Sequence, residues 1–437
     1  MFEGFVRFFK GLDGRIKVAM SGAAVQYWSQ AFSGQYNQLY ASVLGADYVQ
    51  IGSLNSIGAG ITSIVSVPLG WAAENYGVRR TLLLGFACAI ISAAVYALAG
   101  SWWILVAAVI LSSIALRIIY PLTDVIFITY TRPEQSSTLM GFSRVIWGTL
   151  NIFAPLIAAI IVASFGGINA QGIRPLYFVQ LFLTVVAFFF VAVKLKTIPT
   201  HVKREEEKPS SKENGFIQDF RDLFKGERWL KRWIALRTID QFAVNMAVPF
   251  IPLWMVNVKG ANPYILGAVG TASAVTSSLL QVPAGRLADK IGRKRTYYLL
   301  QPLAYIGTFM LILAPRPEYL ILVGLLGAVG LVGGGAGGVS STPFITMHWE
   351  MVPGEKRGRW FGIEGLMTGS TIPATIIGGI LWQYGFMREV LLLPILLEVL
   401  VVIPLMITVP DTLKRNDRQR NSPSAFSRLQ EIDVSVG

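Results

Sequence analysis

Twelve long apolar stretches divide this chain, and they restrict its fold more than any other feature. They run approximately over 19–43, 49–73, 80–100, 102–129, 139–164, 175–196, 232–257, 264–286, 296–315, 318–347, 360–384 and 389–409. Each is long enough to cross a hydrocarbon layer of about 30 Å as a helix rising about 1.5 Å per residue. A β-barrel would need segments of about ten residues alternating in polarity, and none alternates in that way. Charged residues make up 14% of the chain and hydrophobic residues 53%, with mean hydropathy +0.54; a soluble domain carries about 25% charged residues. The fold class expected is an all-α polytopic membrane protein of twelve transmembrane helices.

The net charge of +13 is distributed by topology, so it gives no reason to expect a nucleic-acid partner. Among the lysines and arginines, Arg174, Lys259, Arg316 and Arg388 lie in loops after odd-numbered stretches. Arg117 and Arg237 lie within stretches, and nearly all the rest lie in the termini and the loops after even-numbered ones. The excess of positive charge on one side places that side, and both termini, in the cytoplasm of a cell whose cytoplasmic membrane holds the chain. Residues 1–18 place Phe2, Phe5, Phe8 and Phe9 beside Arg7 and Lys10 and read as an interfacial segment, with no cleavage signature of a removable signal peptide. Residues 197–231 form a polar linker whose second part, with Phe216, Phe220, Leu223 and Phe224 at helical spacing, reads as an amphipathic helix on the inner leaflet. Residues 411–437 form a polar tail. The lone Cys88 excludes an intrachain disulfide.

The stretch from Gly285 to Arg295, GRLADKIGRKR, occurs in weaker form 215 positions earlier, from Gly70 to Arg80, as GWAAENYGVRR. Gly70 matches Gly285, Glu74 matches Asp289, Gly77 matches Gly292 and Arg80 matches Arg295. Gly45 and Gly260, Pro68 and Pro283, and Thr81 and Thr296 share the same offset. The chain therefore reads as two copies of one unit, residues 19–196 and 232–410, arranged as two six-helix bundles about a pseudo-twofold axis along the membrane normal. Gly285 and Gly292 are expected to let the backbone turn, leaving Asp289 as an anchor.

These loops resemble the signature loops of the major facilitator superfamily between helices 8 and 9 and helices 2 and 3. VPGEKRG, from Val352 to Gly358, resembles that family's loop between helices 10 and 11. The resemblance implies a central cavity, alternating access by rocking of the two halves, and a monomer. It also implies a cytoplasmic latch. Glu74 would reach the start of helix 11 near Gly358 to Gly362, and Asp289 the start of helix 5 near Thr138 to Gly141, where free N–H groups and the helix dipole favour a carboxylate. Gly70, Gly77, Arg80, Gly285, Gly292, Arg293, Arg144 and Glu364 complete the expected latch.

Ionisable side chains within spans are costly and therefore candidate functional groups. Arg117 takes the position of the arginine in the family's helix 4 motif, where it either tunes a carboxylate, binds an anionic substrate or forms an ion pair with Asp124 or Asp240. Asp240 and Asp124 are the candidate proton carriers, with Arg237 and Arg117 as their tuners. Glu398 lies mid-span in helix 12, which the family places outside the cavity, and it receives no role. Gln26, Gln30, Ser33 and Asn37 form one polar stripe on helix 1, and Gln241 and Asn245 are the repeat equivalents of Gln26 and Gln30. These amides can bind a polar solute, with Tyr36, Tyr40, Trp254 and Arg117 beside it; interhelical hydrogen bonding is the alternative use of the same groups.

Gly333, Gly335 and Gly338 spell a dinucleotide-like motif but lie inside apolar stretch 10 with no strand before them. They, with Gly330 and Gly334, suit helix packing or bending. Two histidines, His201 and His348, make no metal site, no P-loop occurs, and no cofactor or catalytic constellation is expected, so the chain does not read as an enzyme. The expected function is secondary transport of a small organic solute, driven by protons. APLIAA, from Ala154 to Ala159, stands where the family's antiporters carry a glycine signature and leans the reading toward efflux antiport. Uptake of a sugar or organic anion by symport is the alternative, and a non-transporting membrane sensor or scaffold is the rival from another class.

Overall fold

A computed structural model describes residues 12–130, 133–195, 228–329, 331, 334–351, 365 and 367–409. Of residues 67–75, 128–129, 133–142, 144–145, 228–230 and 349–351 only the backbone is described. The N-terminal half comprises α1 (Gly14–Gly34, continued by Asn37–Val43), α2 (Tyr48–Tyr76), α3 (Val78–Leu98), α4 (Ile104–Tyr130), α5 (Pro133–Ser164) and α6 (Ala170–Lys194). In the C-terminal half, α7 (Arg228–Ala247) continues through short turns to a π-helical segment, Trp254–Val258. It is followed by α8 (Pro263–Ile291) and α9 (Arg293–Leu313). The described parts of α10 come in three pieces, Leu320–Leu326, Gly335–Gly338 and Ser341–Met351. Then come α11 (Thr371–Gln383) and α12 (Met387–Leu397, with a π-helical segment Glu398–Val402 and a last turn Ile403–Ile407). Eight of these, α3 to α9 and α12, are long and apolar enough to cross a membrane among the described residues. The other four spans are interrupted, more polar or partly outside the description.

The repeat is kept in three dimensions. Tyr48 and Pro263 open α2 and α8, and Tyr76 and Ile291 close them, each pair 215 positions apart; Val78 and Arg293 then open α3 and α9 at the same offset. The caps repeat as well. Asp47 Oδ1 accepts from Gln50 N–H at 2.7 Å and Asn262 Oδ1 from Ile265 N–H at 2.9 Å, each satisfying a donor that the first turn leaves free. Between α2 and α3 stands Gly77 with φ 84°, and between α8 and α9 stands Gly292 with φ 103°, a left-handed region that favours glycine. Gly285 does not turn the chain: it lies within α8, as Gly70 lies within α2. Arg293, inside the expected loop, is already the first residue of α9.

The continuous helix expected for stretch 10 is broken. Gly327, Gly334 and Gly335 have φ of 83°, 76° and 55°, so the chain leaves the helix and restarts. The glycines serve close backbone approach here. A Cβ added at Gly307 of α9 would lie 1.5 Å from Gly327 O, and one at Gly324 would lie 2.5 Å from Val269 O of α8. Freed backbone groups find partners on neighbouring helices: Thr308 Oγ1 accepts from Val329 N–H at 3.0 Å and Ser273 Oγ from Gly335 N–H at 2.8 Å. Ser277 Oγ donates to Gly335 O at 3.1 Å. Unpaired backbone in a membrane interior is tolerated only where protein supplies such partners.

The two halves share one apolar core on the face that carries the loops after odd-numbered helices, from Phe32, Tyr36 and Tyr40 of the first half to Phe250, Trp254 and Trp382 of the second. On the opposite, lysine- and arginine-rich face the cores are separate. Leu82, Phe86 and Ile119 cluster within the first half, while Trp233, Tyr297 and Met406 cluster within the second.

Substituting Gly307 by alanine should lower stability by about 1–3 kcal/mol, since a backbone carbonyl cannot yield as a flexible side chain can. Gly14→Ala, at a site where an added Cβ meets nothing, should change it little. Thermal unfolding of the two variants in detergent checks the difference.

Candidate functional site

The halves meet through small residues. A Cβ at Gly52 of α2 would meet Thr375 O of α11 at 2.3 Å, and one at Gly379 of α11 would meet Tyr48 O at 2.5 Å. Ser56 Oγ donates to Ile372 O and touches Thr375 Oγ1. Between α5 and α8, a Cβ at Gly267 would lie 2.5 Å from Ala159 Cβ and 2.8 Å from Pro155 O, and Thr271 Oγ1 donates to Ile152 O at 3.0 Å. The APLIAA stretch is thus the surface against which α8 closes. Toward the basic face the packing loosens to ordinary contact. A Cβ at Gly365 would lie 3.8 Å from Ser63 O, and one at Gly148 would lie 3.7 Å from Ser278 Oγ.

Among the described residues, three cavities are grouped around α1. One, of about 170 Å³, runs between the halves and is lined by Tyr27, Gln30, Gln35, Asn151, Pro155 and Gly270. A second, of about 180 Å³, lies within the first half and is lined by Asn37, Gln38, Asn55, Tyr96, Ser112 and Ser113 among others. A smaller one joins Gln35 and Gln38 to Val248, Met255 and Leu266 of the second half. None of the three has a charged side chain among its described lining residues. Tyr27, Tyr120 and Trp147 form an aromatic group beside the first: Tyr27 stacks on Trp147 with centroids 5.9 Å apart, and Tyr120 lies 6.1 Å from Tyr27 and 6.0 Å from Trp147. Tyr120 OH donates to Gln30 Oε1 at 3.4 Å.

The residues singled out from the sequence fall in several places. Gln30 and Asn37 line cavities; Tyr177 OH donates to Asn37 Oδ1 at 3.0 Å. Gln26 is fully buried, and neither its Oε1 nor its Nε2 has a partner. Ser33 donates to Gln180 Oε1 of α6 at 2.7 Å, joining helices. Asn245 Nδ2 donates to Gln241 O of its own helix at 2.8 Å, and neither residue lines a described cavity. Tyr36 and Tyr40 are buried in the shared core, with Tyr40 OH donating to Tyr96 O and Ala99 O. Trp254 is in that core too. Its Nε1 donates to Leu311 O at 3.0 Å, and Lys259 sits over its ring while bonding Ile312 O and Ala314 O at the end of α9. Burial, with Arg388 nearby, holds the Lys259 ammonium below the usual lysine range.

Arg117 Nε donates to Ser66 Oγ of α2 at 2.7 Å and makes no ion pair with Asp124 or Asp240; Asp124 is exposed. Arg237 and Asp240 pair at 3.3 Å, with the guanidinium 4.9 Å above the Phe344 ring. Around them the second half holds a polar cluster that the sequence did not disclose. Glu398 is 3% exposed, accepts from Tyr297 OH and from Gln301 Nε2, and is near enough to Asp240 for the two charges to interact. Of the expected latch, Asp289 is 68% exposed and pairs with Arg293 of its own repeat. Gly77, Gly292 and Arg80 are placed at the turns and the start of α3. Gly70 and Gly285 lie within α2 and α8; the side chains of Glu74 and Arg144, and all of Glu364 and Val352 to Gly358, lie outside the described residues.

Cavity residues that sequence reasoning missed are Tyr27, Gln35, Gln38, Asn55 and Asn151. For Gln35 and Gln38 a signal existed in the run Gly34-Gln-Tyr-Asn-Gln, where α1 stops and restarts, changing which side chains share a face.

In a background with Cys88→Ser, the pair Ser56→Cys and Thr375→Cys should form a reductant-reversible disulfide between the halves, since their hydroxyls already touch. Electrophoretic mobility of oxidised and reduced protein, cleaved in the linker between the halves, reads the bond; no crosslink would place the closed seam elsewhere.

No curated protein matches the sequence. Solved structures do match in fold. The nucleoside transporter NupG is 13% identical and aligns over 90% of this chain and 98% of its own, with a TM-score of 0.66. A partially occluded inward open conformation of the xylose transporter XylE from E. coli is 15% identical over 91% and 98%, with a TM-score of 0.64. A bacterial homolog to the human lysosomal transporter Spinster, inward-facing and unoccupied, is 12% identical over 93% and 98%, with a TM-score of 0.67. The profile of the Major Facilitator Superfamily matches residues 19–239 and again residues 234–433. With both halves of the fold and both halves of the sequence in agreement, this chain belongs to the Major Facilitator Superfamily and is a multi-pass membrane transporter.

Proposed function

We propose that the chain is a proton-coupled transporter of a small, uncharged, polar solute that carries a flat face, moved by alternating access between its two halves. The observation that carries this reading is the lining around α1. Gln30, Gln35, Gln38, Asn55 and Asn151 offer paired donors and acceptors, Tyr27 offers a ring face, and none of the described lining residues is charged. A desolvated anion or cation would lack a partner there. A cluster of ionisable groups stands apart from this lining in the second half, where Asp240 with Arg237 is the proton-carrying pair.

With the basic face in the cytoplasm, the arrangement described is inward-facing, closed outside by α2 with α11 and α5 with α8. Asp289 is then a latch acid in its released state, exposed and held by Arg293, that would engage α5 when the inner face closes. The close packing of Ala154 to Ala159 on α8 favours a tight outer seal and keeps efflux antiport as the preferred direction. Uptake by symport is the second reading, favoured by the amide lining, which suits a sugar, and by the likeness in fold to a D-xylose-proton symporter. The chain acts as a monomer in this proposal.

Proteoliposomes with an internal pH-sensitive dye, screened with sugars, nucleosides, organic anions and lipophilic cations, test it. A neutral solute should move protons, their direction separating antiport from symport. Asp240→Asn should abolish the proton signal. Gln30→Leu should raise KM roughly tenfold, the loss expected when one buried hydrogen bond is left unmade. Response to charged solutes alone would overturn the assignment of the site.

A further inference from the structure

Glu398 is the one acid that is buried among the described residues, and the reading above leaves it unused. It opens a π-helical segment in α12, a distortion that costs helix stability and recurs at functional positions. Both carboxylate oxygens are engaged. Oε1 accepts from Tyr297 OH, and Oε2 accepts from Gln301 Nε2 at 2.9 Å. Gln301 Oε1 in turn accepts from Ser340 Oγ. Ser340 stands between the Gly335–Gly338 turn and the Ser341–Met351 helix, where broken α10 restarts. A continuous chain of hydrogen bonds thus runs from α12 through α9 to the break.

The groups that face Glu398 are known from each side. From α9 come Tyr297 and Tyr305, both with hydroxyls that interact with the carboxylate. From α7 comes Asp240, whose own cation, Arg237, bonds it and not Glu398. Among the described side chains of α10 the one titratable group is His348, which accepts from Trp233 Nε1 at 3.0 Å. Every donor to Glu398 is neutral, and a second acid faces it. Among the described residues, what holds it ionised is hydrogen bonds that a protonated form can reverse.

We propose that Glu398 is a proton-binding site that resets the break in α10 through Gln301 and Ser340. The inference rests on the proton-coupled reading and adds a second site to Asp240. A proton taken from the aqueous side bonds to Oε2, and that oxygen becomes a donor. The Gln301 amide then turns over, accepting through Oε1 from the acid and donating through Nε2 to Ser340 Oγ. Ser340 can no longer donate to Gln301, and its hydroxyl is released to a carbonyl of the preceding turn, as Ser341 Oγ already donates to Gly338 O at 2.7 Å. No other covalent bond changes. Release of the proton runs the same steps backward.

Hydrogen–deuterium exchange on the full chain in lipid nanodiscs, corrected for intrinsic rates, tests this across the acid to neutral range. Peptides covering 335–351 should become roughly threefold to tenfold more protected as pH falls, the range expected for one hydrogen bond gained at the restart. Glu398→Gln, a neutral mimic of the protonated acid, should show one protection level at every pH. Ser340→Ala should lose the response of α10 while infrared difference spectra still show the titrating carboxyl group, an arm that stands even if Glu398→Gln fails to fold. Asp240→Asn should lose proton-coupled flux yet keep the α10 response. An unresponsive wild-type α10 beside intact proton-coupled flux overturns this inference alone, as does an unchanged response in Glu398→Gln; a responsive α10 with flux that moves no protons overturns the coupling reading instead.

Discussion

Hydrocarbon offers no partner to a backbone N–H or C=O, so a chain that crosses it must pair each of these groups with itself or with a neighbouring helix. That constraint accounts for the long helices, and it accounts equally for where they fail. α1 stops at Gly34 and resumes at Asn37, α7 passes through a π-helical segment, α10 opens at Gly327, and α12 carries a π-helical segment at Glu398. Each irregularity lies among other helices, and at α10 the freed groups are met by Thr308, Ser273 and Ser277. Gln35 and Gln38 lie at the break in α1, Ser340 at that in α10 and Glu398 at the start of the π-helical segment of α12. Irregular backbone and these polar side chains coincide because both need shelter from lipid.

A second constraint is distance. Without a hydrophobic force to drive helices together in lipid, association depends on close packing, and small residues permit it. Gly52 and Gly379 bring α2 and α11 into contact, and Gly267 and Pro155 do the same for α8 and α5. These two pairs are related by the repeat, so one duplicated device closes one face symmetrically. The cores of the two halves stay separate on the other face, which leaves each half able to move as a body.

Much of the fold could be read from the sequence because its signals are periodic or repeated. Apolar length marked the spans, the distribution of lysine and arginine marked the faces, and the offset of 215 residues reappears in the ends of α2, α3, α8 and α9. The site was less legible. Gln30 was reached because it belongs to an amide stripe on a regular helix; Gln35 and Gln38 were not, because a helical wheel drawn through the break in α1 turns them the wrong way. Trp254 and Tyr36 looked like stacking residues, but an aromatic side chain reads the same whether it faces a cavity or a core. Glu398 was visible as an anomaly only. Its partners, Tyr297 and Gln301, are 101 and 97 residues away on another helix, with Ser340 beyond them, and no local pattern joins them. The glycine run of α10 suggested packing, while whether such a run bends or breaks is decided by the hydroxyls on α8 and α9.

The seam between α2 and α11 and between α5 and α8 is made of glycine, serine, threonine, alanine and proline, and no charged side chain joins it among the described residues. The opposite face carries Asp289, Arg293 and the rest of the basic loops. Under the proposed alternating access, these two faces act as gates that answer to different variables. The uncharged seam opens against van der Waals contact and a few hydroxyl bonds, so ionic strength and lipid headgroup charge leave it nearly untouched, while membrane thickness and lateral pressure act on it directly. The charged gate is tuned by salt and by anionic lipid. Under that proposal the composition of the membrane shifts the balance between the two conformations through either leaflet, by mechanical means on one side and by electrostatic means on the other.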